Sequence, residues 1–198
     1  MVSFPEAEVT VVFESIEEIG MTTVDQYVGG PPPPSGFMLG TPPVYYEITT
    51  TATYDGTIHI CIHYDDTQFI NELDLRLMQK VDGYQDVTVD LDTVNNIICG
   101  EVTHFSGFAM MEPCPTISEV IDDIDEHVDH EGIANSLTSK LQDAVDALHR
   151  GDIKEFQNIL NAFINEVESQ RGKKISNAYA YTLLKVAHAW IHDPELAG

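Results

Sequence analysis

The hydrophobic pattern of this chain changes period once, at Pro113-Cys114-Pro115. Before that point apolar residues alternate with polar ones. After it they recur three and four residues apart. A period of two lines one face of a strand, and a period of 3.6 lines one face of a helix. The chain must therefore build a β unit first and a helical unit second. The two prolines remove backbone donors and disfavour helix in the residue before each, so they separate the two patterns. The last strand-like text is the run Asn95 to Glu112, NNIICGEVTHFSGFAMME, which holds Cys99 and the triplet His104-Phe105-Ser106.

Residues 6–15 alternate Val9, Val11 and Phe13 against polar neighbours, and Thr22 to Val28 forms a weaker second strand. Four consecutive prolines, Pro31 to Pro34, cannot join a sheet ladder. They read as a stiff loop crossing between two sheets, the alternative being a ligand for a proline-binding module. Residues 44–53 are rich in Tyr, Ile and Thr, a strand composition. Asp55-Gly56 reads as the turn of a hairpin with residues 57–64. Residues 74–80 alternate again, Asp82-Gly83 turns the chain, and residues 86–91 follow. The run from Asn95 splits near Thr103 to Ser106. Roughly seven to nine short strands at this spacing predict an antiparallel β-sandwich over residues 1–113.

From Thr116 the stripes are helical, and Thr116 or Ser118 can cap the first helix through Glu119. Ile117, Val120, Ile121, Ile124 and Val128 form the first, broken at Gly132. Leu137, Leu141, Val145 and Leu148 form the second. Asp152 caps the third, carrying Ile153, Phe156, Ile159, Leu160, Phe163, Ile164 and Val167. Ser176 starts the fourth, carrying Leu183, Leu184 and Ile191, and Pro194 ends it. The short connections predict an antiparallel helical bundle over residues 114–198.

Charge narrows the partners. The chain has 33 Asp+Glu against 9 Lys+Arg, a net charge of −24. Residues 1–113 hold 18 of those acids but only two of the bases, Arg76 and Lys80. Nucleic acid and anionic membrane both repel such a surface. No apolar run approaches the ~20 residues of a membrane span. MVSFPEAEVT has neither a basic nor an apolar signal region, so the chain reads as a piece of a longer protein.

The motif NSLTSKL at Asn135 to Leu141, the Gly151-Asp152 turn, AFINEV at Ala162 to Val167 and GKKI at Gly172 to Ile175 resemble the FIMAH domain over about residues 117–192. That helical module occurs near the ends of large secreted bacterial and archaeal proteins. The resemblance implies an extracellular or cell-surface location and a non-catalytic role. The front half, with PPSGFMLGTPPVYYEITTTATYDGTIHICIHYD, LRLM, DVTVDLDTVNNIICG and SGFAMMEP, resembles a β-module of bacterial secreted proteins. It is also distantly similar to the β-sandwich of ankyrins and netrin receptors. In some members of that group a His-Phe-Ser triplet near the last strand is an autoproteolysis site, and His104, Phe105 and Ser106 match it residue for residue.

In such a cleavage Ser106 Oγ would attack the Phe105 carbonyl, with His104 as general base, and water would hydrolyse the resulting ester. The plainer reading is a strand segment with Phe105 in the core. Cys61 and Cys99 each sit mid-strand, and neighbouring strands would allow a disulfide; two buried thiols are the alternative. Cys114 is left over, free or cross-linking chains. His59, Cys61 and His63 share one face, with Cys99 as a fourth zinc donor, but ligands about 7 Å apart along a strand are too spread for one tetrahedral ion. They read as a solvated face. The acids Asp65-Asp66, and Asp122, Asp123, Asp125, Glu126 and Asp129, lack the oxygen spacing of a calcium loop and read the same way, with calcium the ion they would take. No other cofactor motif is visible. Tyr45, Tyr46, Tyr179, Tyr181 and Trp190 read as packing residues, the alternative being a sugar platform. These readings predict a non-enzymatic module for attachment, assembly or spacing. Its partners would be other extracellular domains or surface polysaccharide, or further copies through sandwich edge strands. Self-cleavage between Phe105 and Ser106 and carbohydrate binding are the alternatives.

Overall fold

Ile58, Ile60 and Ile62 lie on the same side of one strand, and all three are fully buried. The residues between and beside them, His59, Cys61 and His63, take the opposite face. This alternation is the sequence pattern made into a sandwich. A computed structural model describes all 198 residues, in two units, Met1–Pro113 and Cys114–Gly198.

The first unit has eleven strands: β1 (Val2–Phe4), β2 (Val9–Glu18), β3 (Thr22–Tyr27), β4 (Phe37–Leu39), β5 (Tyr45–Thr50), β6 (Thr53–His63), β7 (Arg76–Lys80), β8 (Tyr84–Asp86), β9 (Thr88–Asp92), β10 (Ile97–Val102) and β11 (Gly107–Pro113). One sheet runs β1-β2-β6-β10-β9. The other runs β3-β5-β11-β7-β8, with β4 also paired to β11. All pairings are antiparallel. Val9, Val11, Ile60 and Ile98 from the first sheet meet Ile48, Leu77, Phe108 and Met110 from the second in one buried core. Each such side chain stabilises the unit by about 2 kcal/mol through burial.

Three expectations for this unit need correction. Asp55-Gly56 is not a hairpin turn: it lies inside β6, where the register with β2 shifts between Phe13 and Ser15. Gly56 takes φ 84°, and the Glu14 carboxylate accepts the Thr57 N–H at 2.8 Å and its hydroxyl at 3.1 Å across the irregularity. The left-handed glycine serves a bulge instead of a turn. β5 and β6 belong to different sheets. The proline run does not cross between sheets, since it connects β3 to β4 within one sheet. Pro31 offers its carbonyl to the Tyr45 hydroxyl at 2.7 Å, seating the loop over the small cluster of Tyr45, Met78, Ala109 and Met111. Residues 86–91 are not one strand. The chain changes sheet at Val87, whose N–H donates to Leu77 and whose carbonyl accepts from Glu101.

The second unit has four helices: α1 (Ile117–His127), α2 (Glu131–His149), α3 (Ile153–Gln170) and α4 (Asn177–His192). Thr116 and Glu119 form a complete capping box on α1, while Asp152 caps α3 and Ser176 caps α4. Gly132 sits within the first turn of α2, not in a break between helices. Ile117, Ile124, Leu137, Leu141, Phe156, Leu160, Phe163, Leu183 and Trp190 are fully buried. No helix is long and apolar enough to cross a membrane.

Candidate functional site

His104, Phe105 and Ser106 form the connection between β10 and β11, which lie in different sheets. Phe105 turns inward. Its ring meets Phe13 edge-on at 5.7 Å and Tyr54 at 6.0 Å, against the main core. The buried Gln79 amide donates to the His104 carbonyl at 2.8 Å, holding the connection to β7. The His104 ring meets the Thr103 hydroxyl at 3.4 Å, and the Ser106 hydroxyl donates to the Gly107 carbonyl at 3.4 Å. No hydrogen bond joins the imidazole to the Ser106 hydroxyl, and none of the three residues takes a positive φ. Base and nucleophile are neighbours in sequence but are not paired. A shallow cleft of about 310 Å³ beside them is lined by Glu47, Thr49, Tyr54, His104 and Phe105.

Cys61 and Cys99 stand directly opposite each other on β6 and β10, with Cα atoms 4.1 Å apart, and form a disulfide. Both zinc-type sulfurs are thereby consumed. The flanking histidines face carboxylates: His59 lies 3.4 Å from Glu101, and His63 lies 3.5 Å from Glu8. Cys114 is buried and outside the disulfide. Of the aromatic residues read as packing, with a sugar platform as the alternative, Tyr45, Tyr46, Tyr179 and Trp190 are buried. The Trp190 indole N–H donates to the Pro115 carbonyl at 2.9 Å.

In the helical unit one cluster stands out. One side-chain donor each from Asp123, Glu126 and His127 lie within 4.8 Å of one another on α1. His127 Nδ1 is 3.1 Å from the Asp123 carbonyl and 3.2 Å from its carboxylate. The imidazole stacks on Tyr179 of α4, with centroids 4.7 Å apart and planes 20° apart. Tyr179 is 7% exposed, and its hydroxyl makes no hydrogen bond of good geometry although the Asp123 carboxylate faces it. Burial first, then Asp123, holds the phenol far above its ordinary pKa. The sequence reading named Asp123 and Glu126 among exposed acids and missed His127. The signal was present: Asp123-x-x-Glu126-His127 places the three at i, i+3 and i+4, one helix face.

Fold and side-chain geometry thus describe a disulfide-linked antiparallel β-sandwich followed by a four-helix unit. Residues 117–192, spanning α1 to α4, match the family model of the FIMAH domain. That domain points to a module of a larger surface-type protein. No curated protein matches the chain.

Proposed function

We propose that the chain is a non-enzymatic module of an extracellular or cell-surface protein, serving attachment, assembly or spacing towards neighbouring domains or surface polysaccharide. The observation that carries this is the Cys61–Cys99 cross-link on β6 and β10. A structural disulfide persists in oxidising compartments, and its combination with a FIMAH-type helical unit suits a secreted protein. The acid-rich front unit supports the same reading, because a strongly anionic surface stays solvated and repels nucleic acid. The mass of intact, freshly purified chain under reducing and non-reducing conditions tests it. The expected result is one species of 22.0 kDa, two hydrogens lighter before reduction. Fully reduced Cys61 and Cys99 after export to an oxidising compartment would sink the extracellular reading.

The self-cleaving alternative meets the same measurement. Two fragments joining at Phe105-Ser106, abolished in Ser106→Ala, would replace a passive module with a self-processing one. The unpaired His104 and Ser106 side chains do not favour that outcome. Binding of the full chain to a glycan array tests the carbohydrate alternative, which selective recognition of one polysaccharide class would support.

A further inference from the structure

We propose that Asp123, Glu126 and His127 form a binding site for a divalent transition cation of the zinc class, with Tyr179 as the outer residue that orients it. Three acids on a helix face would be an ordinary solvated surface. Two observations separate this cluster from that case. It contains an imidazole, which suits zinc-class ions and is foreign to calcium sites built wholly of oxygen. It also has a buried hydroxyl at its edge, since Tyr179 is 7% exposed and its O–H faces the Asp123 carboxylate without a hydrogen bond of good geometry.

The proton positions follow from the contacts. A carbonyl oxygen only accepts, so the 3.1 Å approach of His127 Nδ1 to the Asp123 carbonyl places the hydrogen on Nδ1. In the neutral ring the lone pair is then on Nε2, the form a metal takes. A second nitrogen held by a carbonyl is the usual arrangement around a metal-bound histidine. The Tyr179 ring stacked at 4.7 Å fixes the imidazole plane. A tetrahedral ion with bonds of about 2.1 Å separates its ligand atoms by about 3.4 Å. The three donors now lie within 4.8 Å of one another with the Asp123 carboxylate 3.2 Å from Nδ1, so an ion on Nε2 requires Asp123, half-buried, and Glu126, exposed, to swing their carboxylates toward that nitrogen. One Asp123 oxygen then meets the ion, and the other accepts the Tyr179 O–H. The buried hydroxyl then gains a well-aligned acceptor. Asp122, Asp125 and Asp129 add negative potential that concentrates cations near the site.

Titration calorimetry of the full chain with Zn2+ tests the site, with Ca2+ as the comparison ion. One zinc per chain should bind above the weak background of the other acids. His127→Ala should weaken that event at least about 100-fold, and Tyr179→Phe about 10-fold. His127 is exposed, so its replacement should leave helicity by circular dichroism intact. Tyr179→Phe adds a readout that a merely structural tyrosine would not move. Without metal its Tm should equal or exceed that of the parent, because a buried hydroxyl without a hydrogen bond of good geometry is gone. The rise in Tm on adding zinc should be smaller. Zinc binding unchanged in His127→Ala, an equal His127-dependent response to Ca2+, or an undiminished zinc-induced rise in Tyr179→Phe would each overturn the assignment.

Discussion

The carboxylate of Glu112, 1% exposed on the last strand of the sandwich, accepts the backbone N–H of Asn71 at 2.7 Å. The same group accepts the N–H of Ile70 at 2.8 Å. An acid buried this deeply belongs only where donors meet it. Here they come from the segment entering the single helical turn Glu72–Asp74, which leads into β7. Glu112→Ala leaves these donors without their acceptor and should destabilise the β unit by about 3 kcal/mol. Glu112→Gln keeps one accepting oxygen but turns an amide donor toward the same N–H groups, so it should lose an intermediate amount. Urea unfolding followed by far-UV circular dichroism checks both. A Glu112→Ala chain as stable as its parent would show the contact to be incidental.

The cap of α1 carries a pH dependence. Glu119 accepts the Thr116 N–H at 2.7 Å and its hydroxyl at 2.8 Å, and these bonds, the backbone one first, hold its pKa below the ordinary 4.5. A lowered folded pKa means that folding favours the charged form. The contribution is complete above pH 4.5 and is lost as pH falls through the lower folded value. Glu119→Gln should therefore be less stable than the parent near neutral pH, and the two should converge as pH falls through the lowered folded value. Thr116→Ala removes the other half of the box and should cost about 1 kcal/mol. Thermal melts of the three chains across that range measure the convergence. A gap that widens towards acid would contradict the cap assignment.

What could be read beforehand divides along physical lines. Period alone separated strands from helices, because Ile58, Ile60 and Ile62 must share a face whichever partner they meet. The caps at Asp152 and Ser176 were legible, and that of α1 was narrowed to Thr116 or Ser118, because each satisfies N–H groups local to its own chain segment. Gly56 was misread because a glycine with positive φ serves a turn and a bulge equally well. Only the register of β6 against β2 distinguishes them. The sheet change at Val87 left no mark in composition, since a valine bonded to both sheets resembles any other strand valine. His127 was passed over for a related reason. Its value lies in sharing a helix face with Asp123 and Glu126 and in meeting Tyr179, about fifty residues onward in the chain, and the second contact is tertiary.

Trp190 is the only tryptophan of the chain and is fully buried in the helical unit. Its emission should be blue-shifted in the native state and move red when that unit unfolds, reporting the helices without interference from the sandwich. Trp190→Phe keeps an aromatic ring but leaves a gap and removes the N–H that meets the Pro115 carbonyl at 2.9 Å. The loss should be about 2 kcal/mol, part cavity and part unpaired carbonyl. Since the mutant lacks the fluorophore, helicity at the far-UV helix minimum gives the comparison. Red-shifted emission from the folded parent would show that the indole is not enclosed.

The Cys61–Cys99 bond closes a loop spanning 38 residues in sequence. Loop-closure entropy for that length gives a stabilisation of about 4 kcal/mol through the unfolded chain. The estimate is an upper one, because β6 and β10 already pair over Ile58–His63 and Ile97–Val102, and residual pairing in the unfolded state would reduce the entropy recovered. The double change Cys61→Ala and Cys99→Ala should lower the stability of the sandwich by about 2–4 kcal/mol while leaving its strands in place, since Ile60, Ile62 and Ile98 still pack on the inner face. A single change should behave worse than the double one, because it leaves a thiol on the outer face open to oxidation. Denaturant unfolding of the oxidised chain, the reduced chain and the double mutant distinguishes the terms. Reduced parent and double mutant should agree closely, and a reduced chain as stable as the oxidised one would show that the cross-link acts on neither state.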